Sequence, residues 1–337
     1  MKAWFVKLST AATVLAFCVI ILGAFVRLTD AGLGCPDWPG CYGQVIPPQS
    51  AEALSQAEQA FPGATVETQK AWHEMIHRYL ASALGLLILA MAWIAWKNRE
   101  DPSQPVALPM FLVLLVCFQG ALGMWTVTML LRPAIVTMHL LMGMATFATL
   151  AWTTLSARRT GDSLSFVAVY GSKLRTWALV GLFVLFGQIA LGGWTSTNYA
   201  ALNCPDFPTC QGEWVPEMDF ENAFDIVGEA NVNYEGGLLD HPARMAIHYT
   251  HRVGALITFA FLLFLVLVAR RAGDPAVRGA GYMVLAMLLV QVGLGIANVE
   301  LSLPLMLAVA HNGGAALLLF SLVLLNHRLQ RKIAAGM

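Results

Sequence analysis

Eight stretches of the chain are apolar for long enough to cross a bilayer, which takes about 20 mostly apolar residues in helical form. They fall at 10–29, 72–96, 107–128, 133–155, 177–197, 245–269, 279–299 and 304–326. Two of the polar segments between them are long (30–71 and 198–244) and two are very short (129–132 and 300–303). The first apolar run follows Lys2 and Lys7 as a signal peptide would. Its end, Gly23-Ala24-Phe25-Val26-Arg27, offers no A-x-A cleavage site, so an uncleaved first helix is expected. Residues 45–70 and 212–240 are acidic and polar, with a short amphipathic helix expected at 50–61, and they read as lids over the openings of the bundle.

Composition supports spans rather than a water-soluble core. Of 337 residues, 58% are hydrophobic and only 12% charged, half the ~25% of an ordinary soluble domain, and the mean hydropathy is +0.64. Disorder is excluded by the apolar content and a small disulfide scaffold by the length. Lys+Arg and Asp+Glu number 20 each, so no bulk attraction to nucleic acid is implied. The two signs are separated along the chain. With the N-terminus inside, 14 of the 20 basic residues lie on inside segments and 16 of the 20 acids outside. The positive-inside rule then places both termini in the cytoplasm.

The chain repeats itself. Cys35-Pro36-Asp37-Trp38-Pro39-Gly40-Cys41 recurs as Cys204-Pro205-Asp206-Phe207-Pro208-Thr209-Cys210, an offset of 169. His77-Arg78 recurs as His251-Arg252 and His139 as His311, at offsets of 174 and 172. Gln119-Gly120-Ala121-Leu122-Gly123 recurs as Gln291-Val292-Gly293-Leu294-Gly295, with a related Gln188-Ile189-Ala190-Leu191-Gly192 between. Each half holds four spans and starts inside, so the repeat is parallel, about an axis along the membrane normal. The expected fold is an all-α membrane protein of eight helices in two pseudo-symmetric four-helix bundles, residues 1–165 and 166–337.

His77, His139, His251 and His311 lie on the four spans that run outside to inside, at similar depth in the outer leaflet. A single such histidine is more simply a helix-end residue bonded to backbone or water. Four at one depth in two copies mark sites, because an ionisable group within a membrane is costly. Paired imidazoles with no Cys or Asp at that depth suit axial ligation of haem iron. Zinc would ask for more ligands than two. Arg27, Arg78 and Arg252 lie at outer span ends, where they are expected to pair with haem propionates or to snorkel to the headgroups. The QxxLG runs read mainly as packing, with the glutamine available to hydrogen-bond across helices, and no chemistry is assigned to the glutamines.

The halves differ at one telling place. Glu74 precedes His77 by three residues and shares its helical face, whereas the aligned residue before His251 is His248. A carboxylate beside only one of two sites points to chemistry there, the plainer alternative being an interfacial glutamate. Cys35 with Cys41 and Cys204 with Cys210 are expected to form disulfides in an oxidising compartment, with a zinc knuckle as the alternative. Cys18 and Cys117 lie within spans and read as small packing residues.

These features together resemble the haem A synthase family across all eight spans. The resemblance rests on Arg27-Leu28-Thr29-Asp30-Ala31-Gly32-Leu33-Gly34-Cys35-Pro36-Asp37-Trp38-Pro39, on Glu74-x-x-His77-Arg78, on His139, His251-Arg252 and His311, and on both cysteine pairs. It implies haem O as substrate at His77 and His139, a retained haem b at His251 and His311, and Glu74 as the catalytic glutamate. The implied reaction oxidises a peripheral methyl of haem O to the formyl group of haem A, for cytochrome oxidase, in the inner membrane of a bacterium. The haem sites would face the outer side. Partners so implied are haem O synthase, cytochrome oxidase assembly factors and an unidentified electron acceptor, with a homo-oligomer left open. Two other classes compete: a non-catalytic dihaem b electron carrier, which leaves Glu74 unexplained, and a haem transporter, which would open to alternate sides.

Overall fold

Polar caps, not the edges of the apolar runs, decide where two of the long helices begin. In the computed structural model, which describes residues 2–63, 65–101, 104–158 and 171–330, Asp240 accepts a hydrogen bond from the Ala243 amide and starts α8 (His241–Ala269) with Pro242 in its first turn. Asp274 starts α9 (Pro275–Glu300) the same way through the Ala276 amide. Short side-chain acceptors satisfy orphan amides at such ends, and proline loses nothing there. Each helix therefore begins four residues before the apolar stretch, at 241 rather than 245 and at 275 rather than 279.

The remaining long helices are α1 (Lys2–Leu28), α3 (Thr68–Lys97), α4 (Ala107–Thr128), α5 (Pro133–Ala157), α6 (Gly171–Thr197) and α10 (Leu305–Arg328). All eight are long and apolar enough to cross a membrane. Two short helices, α2 (Ala51–Ala60) and α7 (Phe220–Ala223), belong to the long polar segments. No strand occurs among the described residues, only isolated bridges at Cys41–Gln44 and Cys210–Glu213. The expected boundary at 165/166 lies outside the described residues.

Packing closes the first four spans into a ring, α1–α3–α4–α5, and the last four into a second, α6–α8–α9–α10. The two rings have the same order of neighbours, and in each the first and third members, and the second and fourth, face each other across a diagonal without contact. The rings meet through α5 and α10, flanked by α1 on α10 and α6 on α5. Such swapped pairing is what an axis along the membrane normal would produce. One apolar cluster runs through both rings, and the Asn326 amide adds a bond from α10 to the Ala178 carbonyl of α6, of a kind worth about 0.6–2 kcal/mol in a membrane. Outward-facing residues such as Leu86, Phe183 and Leu256 are large, apolar and exposed, as a lipid-facing surface requires. Cys18 and Cys117 share that exposed surface. They are not packed in the bundle as expected, because a lipid-facing position accepts any small apolar residue.

The cysteine pairs crown one end of the bundles, called here the loop end. Both are disulfides, Cys35–Cys41 and Cys204–Cys210. Each loop turns back through two residues of positive φ, Tyr42 (54°) with Gly43 (74°) and Gln211 (57°) with Gly212 (78°). The adjacent amides of each such turn point at one carboxylate. Asp37 accepts from Tyr42 and Gly43 at 2.6 and 2.8 Å, and Asp206 from Gln211 and Gly212 at 2.5 and 3.0 Å. Asp206 also accepts the Thr209 hydroxyl, and that bond foremost, with the amides, holds its pKa down at about 2. Tyr42 is displaced the other way, its phenol raised by burial and then by the charge of Asp37. Helix α2, capped by Ser50, sits where the amphipathic segment was expected and packs Ala57 against Cys35, Cys41 and Tyr42. With both pairs bonded, denatured unreduced protein should take up two alkyl groups, at Cys18 and Cys117, and six after reduction; mass spectrometry that finds four or more before reduction would rule out this pairing.

Candidate functional site

The four histidines occupy the part of each bundle that the apolar cluster leaves unfilled. On their helices His77 comes before Leu84, His139 before Met144, His251 before Leu262 and His311 before Ala316, the first cluster residue in each case. The side chains thus lie above a packed floor, roughly two to three turns from the loop end. His77 (α3) and His139 (α5) are on diagonal helices of the first ring, and His251 (α8) and His311 (α10) on diagonal helices of the second. Each pair faces across a bundle whose opposed helices do not touch.

Each ring rests on a glycine of the preceding span. A Cβ on Gly23 would come to 3.0 Å from Cε1 of His77, and one on Gly123 to 3.3 Å from that of His139. Gly192 and Gly295 stand at 3.2 Å in the same sense from His251 and His311. Any larger residue would displace the imidazole. Three histidines also meet a glutamine, one turn before that glycine. Gln119 donates to the His139 carbonyl at 2.9 Å, Gln188 lies 3.0 Å from Nδ1 of His251 and donates to its carbonyl at 3.1 Å, and Gln291 lies 3.3 Å from Nε2 of His311. The QxxLG runs are therefore more than packing: the glutamine and the glycine both address a histidine. The fourth glycine, Gly23, lacks the glutamine and so escapes the motif, although its place one turn after Val19 matches the other three.

Glu74 is buried and held at both oxygens, Oε2 accepting from the Cys35 amide at 2.8 Å and Oε1 from Arg78 at 2.5 Å. His248, the aligned residue, is buried too and repeats the arrangement: Nδ1 is 3.3 Å from the Cys204 amide and Nε2 3.3 Å from Nε of Arg252. Arg78 donates further to the carbonyls of Asp37, Pro39 and Gly40, and Arg252 to those of Asp206, Thr209 and Cys204. Each arginine is thus a post that carries a disulfide loop, with the residue four before it as its brace. Gly34 lies so close to the Lys70–Ala71 backbone that a Cβ would reach 2.6 Å, which lets the first loop sit directly on α3. His73 stacks edge-on with Phe25 and touches neither.

Arg27 has a different setting, between the halves. It pairs with Asp30 at 3.3 Å, donates to the Ser196 carbonyl at 2.6 Å, and lies 4.1 Å over the Tyr199 ring, whose hydroxyl donates to Asp30 at 2.8 Å.

The residues fit a flat group gripped from both faces by imidazole nitrogens. The histidines pair across the diagonals, the glycines set the rings, all four histidines are partly exposed, and Nδ1 of His77, His139 and His311 is buried without a partner. Among the described residues no three His, Cys, Asp or Glu side chains gather as a metal cage would require, in keeping with two axial ligands from the protein. Gly295→Val should push His311 aside and weaken haem binding there by about 10- to 100-fold, the scale for disturbing a ligand's support. The low-spin Soret absorbance per folded protein reads this, and an unchanged band would show that the ring is not a ligand.

Known proteins match nearly the whole chain. A protein named Heme A synthase from Shewanella oneidensis is 46% identical, covering 98% of this chain and 97% of its own. One of the same name from a Bradyrhizobium strain is 30% identical over 97% and 92%, and one from Paracoccus denitrificans 29% over 92% and 84%. Residues 6–323 match the COX15-CtaA family model, described as cytochrome oxidase assembly protein. With its eight spans and its two matched histidine pairs, the chain belongs to the COX15-CtaA family of cytochrome oxidase assembly proteins.

Proposed function

We propose that this protein is a haem A synthase, an oxidoreductase that converts a peripheral methyl of haem O to the formyl group of haem A. The observation that carries the assignment is the difference between two otherwise matching sites: only the first places a carboxylate, Glu74, one turn from a ligand histidine. His77 and His139 hold the substrate haem O, and His251 and His311 a resident haem b. Going from methyl to formyl takes up the oxygen of one water and releases four electrons and four protons, in two two-electron stages through the alcohol, and the electrons would leave to a separate acceptor. Glu74 takes the proton as the water oxygen joins the carbon. The Cys35 amide and Arg78 fix the directions of its two oxygens beforehand, which is the service a positioned base requires. Arg27, Arg78 and Arg252 would be the positive charges nearest the propionates, acting at a distance because loop carbonyls take donors of the latter two and Asp30 and Glu74 pair with the first two.

The protein sits in the bacterial inner membrane with both termini in the cytoplasm and the loop end outside, the orientation that the distribution of basic residues supports. There the disulfides meet an oxidising compartment. Haem O synthase supplies its substrate, and cytochrome oxidase assembly takes its product.

One observation favours the rival dihaem carrier: Glu74 and His248 brace their loops alike, so Glu74 has a structural task whether or not it reacts. Glu74→Gln separates the two. The amide oxygen keeps one of the two bonds, with its NH2 facing the other donor, and takes no proton; with the loop still held by the remaining Arg78 bonds, both haem sites should remain while haem A formation falls by ~10²-fold or more. Haem O and haem A extracted per folded protein are the readout. Normal haem A yield in this variant would leave Glu74 as a brace only. Haem b alone, with neither haem O nor haem A, would favour the carrier.

A further inference from the structure

Three of the four ligand histidines are tied to a glutamine and one is not. Gln119, Gln188 and Gln291 each lie one turn before the glycine that backs a histidine, and each reaches that histidine's ring, its carbonyl or both. Each also fits against a second glycine, on the histidine's own helix. A Cβ at Gly143 would come to 3.3 Å from Nε2 of Gln119, one at Gly254 to 2.5 Å from Oε1 of Gln188, and one at Gly314 closer still to Gln291. The side-chain oxygens of all three glutamines are buried and have no partner. They are spare acceptors beside rings that need one, because an imidazole bound to iron through one ring nitrogen carries a proton on the other and holds its direction best when that proton is bonded; the glutamine amide lies against Nε2 of His139 and His311 and against Nδ1 of His251.

His77 has none of this. Val19 stands where the glutamine would be, and Leu80 and Ala81 where the second glycine would be. Nδ1 of His77 is buried without a partner, as in His139 and His311, but no glutamine stands against either nitrogen of this ring, and its charged neighbours on α3, Glu74 and Arg78, are bound to the loop and to each other. Gly23 gives the ring room but no bond.

We propose that Gln119, Gln188 and Gln291 are positioning residues that fix His139, His251 and His311, and that His77, having none, is the axial ligand that yields. The inference rests on the haem assignment above and divides its two sites by lability. The second-half haem is gripped by two fixed ligands and stays. The first-half haem is gripped by one fixed ligand and one that swings away, as a site must that takes in substrate and lets product go.

Carbon monoxide, which needs a vacated position on ferrous iron, tests this on the purified, haem-loaded protein. In the unaltered protein it should bind one haem, the one that remains in His251→Leu. Gln188→Val and Gln291→Val should raise its binding rate at the second-half haem by about 10- to 100-fold. Val19→Gln combined with Leu80→Gly, which copies the other three sites, should lower it at the first-half haem by a similar factor with haem content kept. Both haems inert, both equally reactive, or glutamine variants without effect would overturn the proposal while the haem assignment stands. Absence of haem from the folded protein, measured as haemochrome, would overturn the assignment itself. Should the double variant fail to fold, the glutamine variants decide the matter alone.

Discussion

An imidazole ring inside a helical bundle takes the space that two apposed helices would otherwise close, and that space has to come from a residue with no side chain. Here a glycine on the preceding span yields it four times, at Gly23, Gly123, Gly192 and Gly295. Much else follows from this. The histidine-bearing helices are kept on bundle diagonals, the apolar cluster begins only beyond the rings, and the end above them is left for something other than side chains. In lipid no hydrophobic force pulls helices together, so small residues at the contacts decide how they approach. Glycine therefore both seats the ligand and fixes the spacing of the helices around it.

The loop end is built on a different principle. Each disulfide loop is too short to have a core, and is assembled from backbone bonds to three side chains: an aspartate within the loop, and an arginine and its brace on the helix below. The arginine directly follows one of the paired histidines, so the loop and the histidine are registered on one helix turn. Exchange of the brace from histidine to glutamate leaves the scaffold unchanged and alters only its chemistry. That is how two sites of common design come to differ in a carboxylate without a change of scaffold.

Much of this was legible in the residues, for reasons that can be named. Spans are legible because the bilayer demands length, and repeats because both halves keep the same polar residues at the same offsets. Helix starts were misplaced by four residues at Asp240 and Asp274 because caps are polar and hydropathy stops short of them. A bond across helices was open to the glutamines, but its partner was not legible, because it lies 20 to 63 residues away, on a helix whose facing only the fold reveals. Arg78 and Arg252 looked free for an acidic ligand, since a donor to backbone carbonyls leaves no trace in the side-chain pattern. Cys18 and Cys117 looked buried, because in a membrane apolar character does not distinguish inside from lipid-facing.

The contacts of Arg27 have a further meaning. Ser196 is its own counterpart in the repeat, 169 residues on, and Asp30 meets its counterpart, Tyr199, at the same separation. Positions that lie on the axis between two copies meet themselves when the copies are identical: arginine would face arginine, and aspartate would face aspartate. Joining the copies in one chain removes that restriction, because the two members of each such pair are then free to become unlike. A like-charge collision becomes a guanidinium on a carbonyl, and a carboxylate beside a phenol. The seam between the halves is thus the place where a fused chain can do what a symmetric dimer cannot.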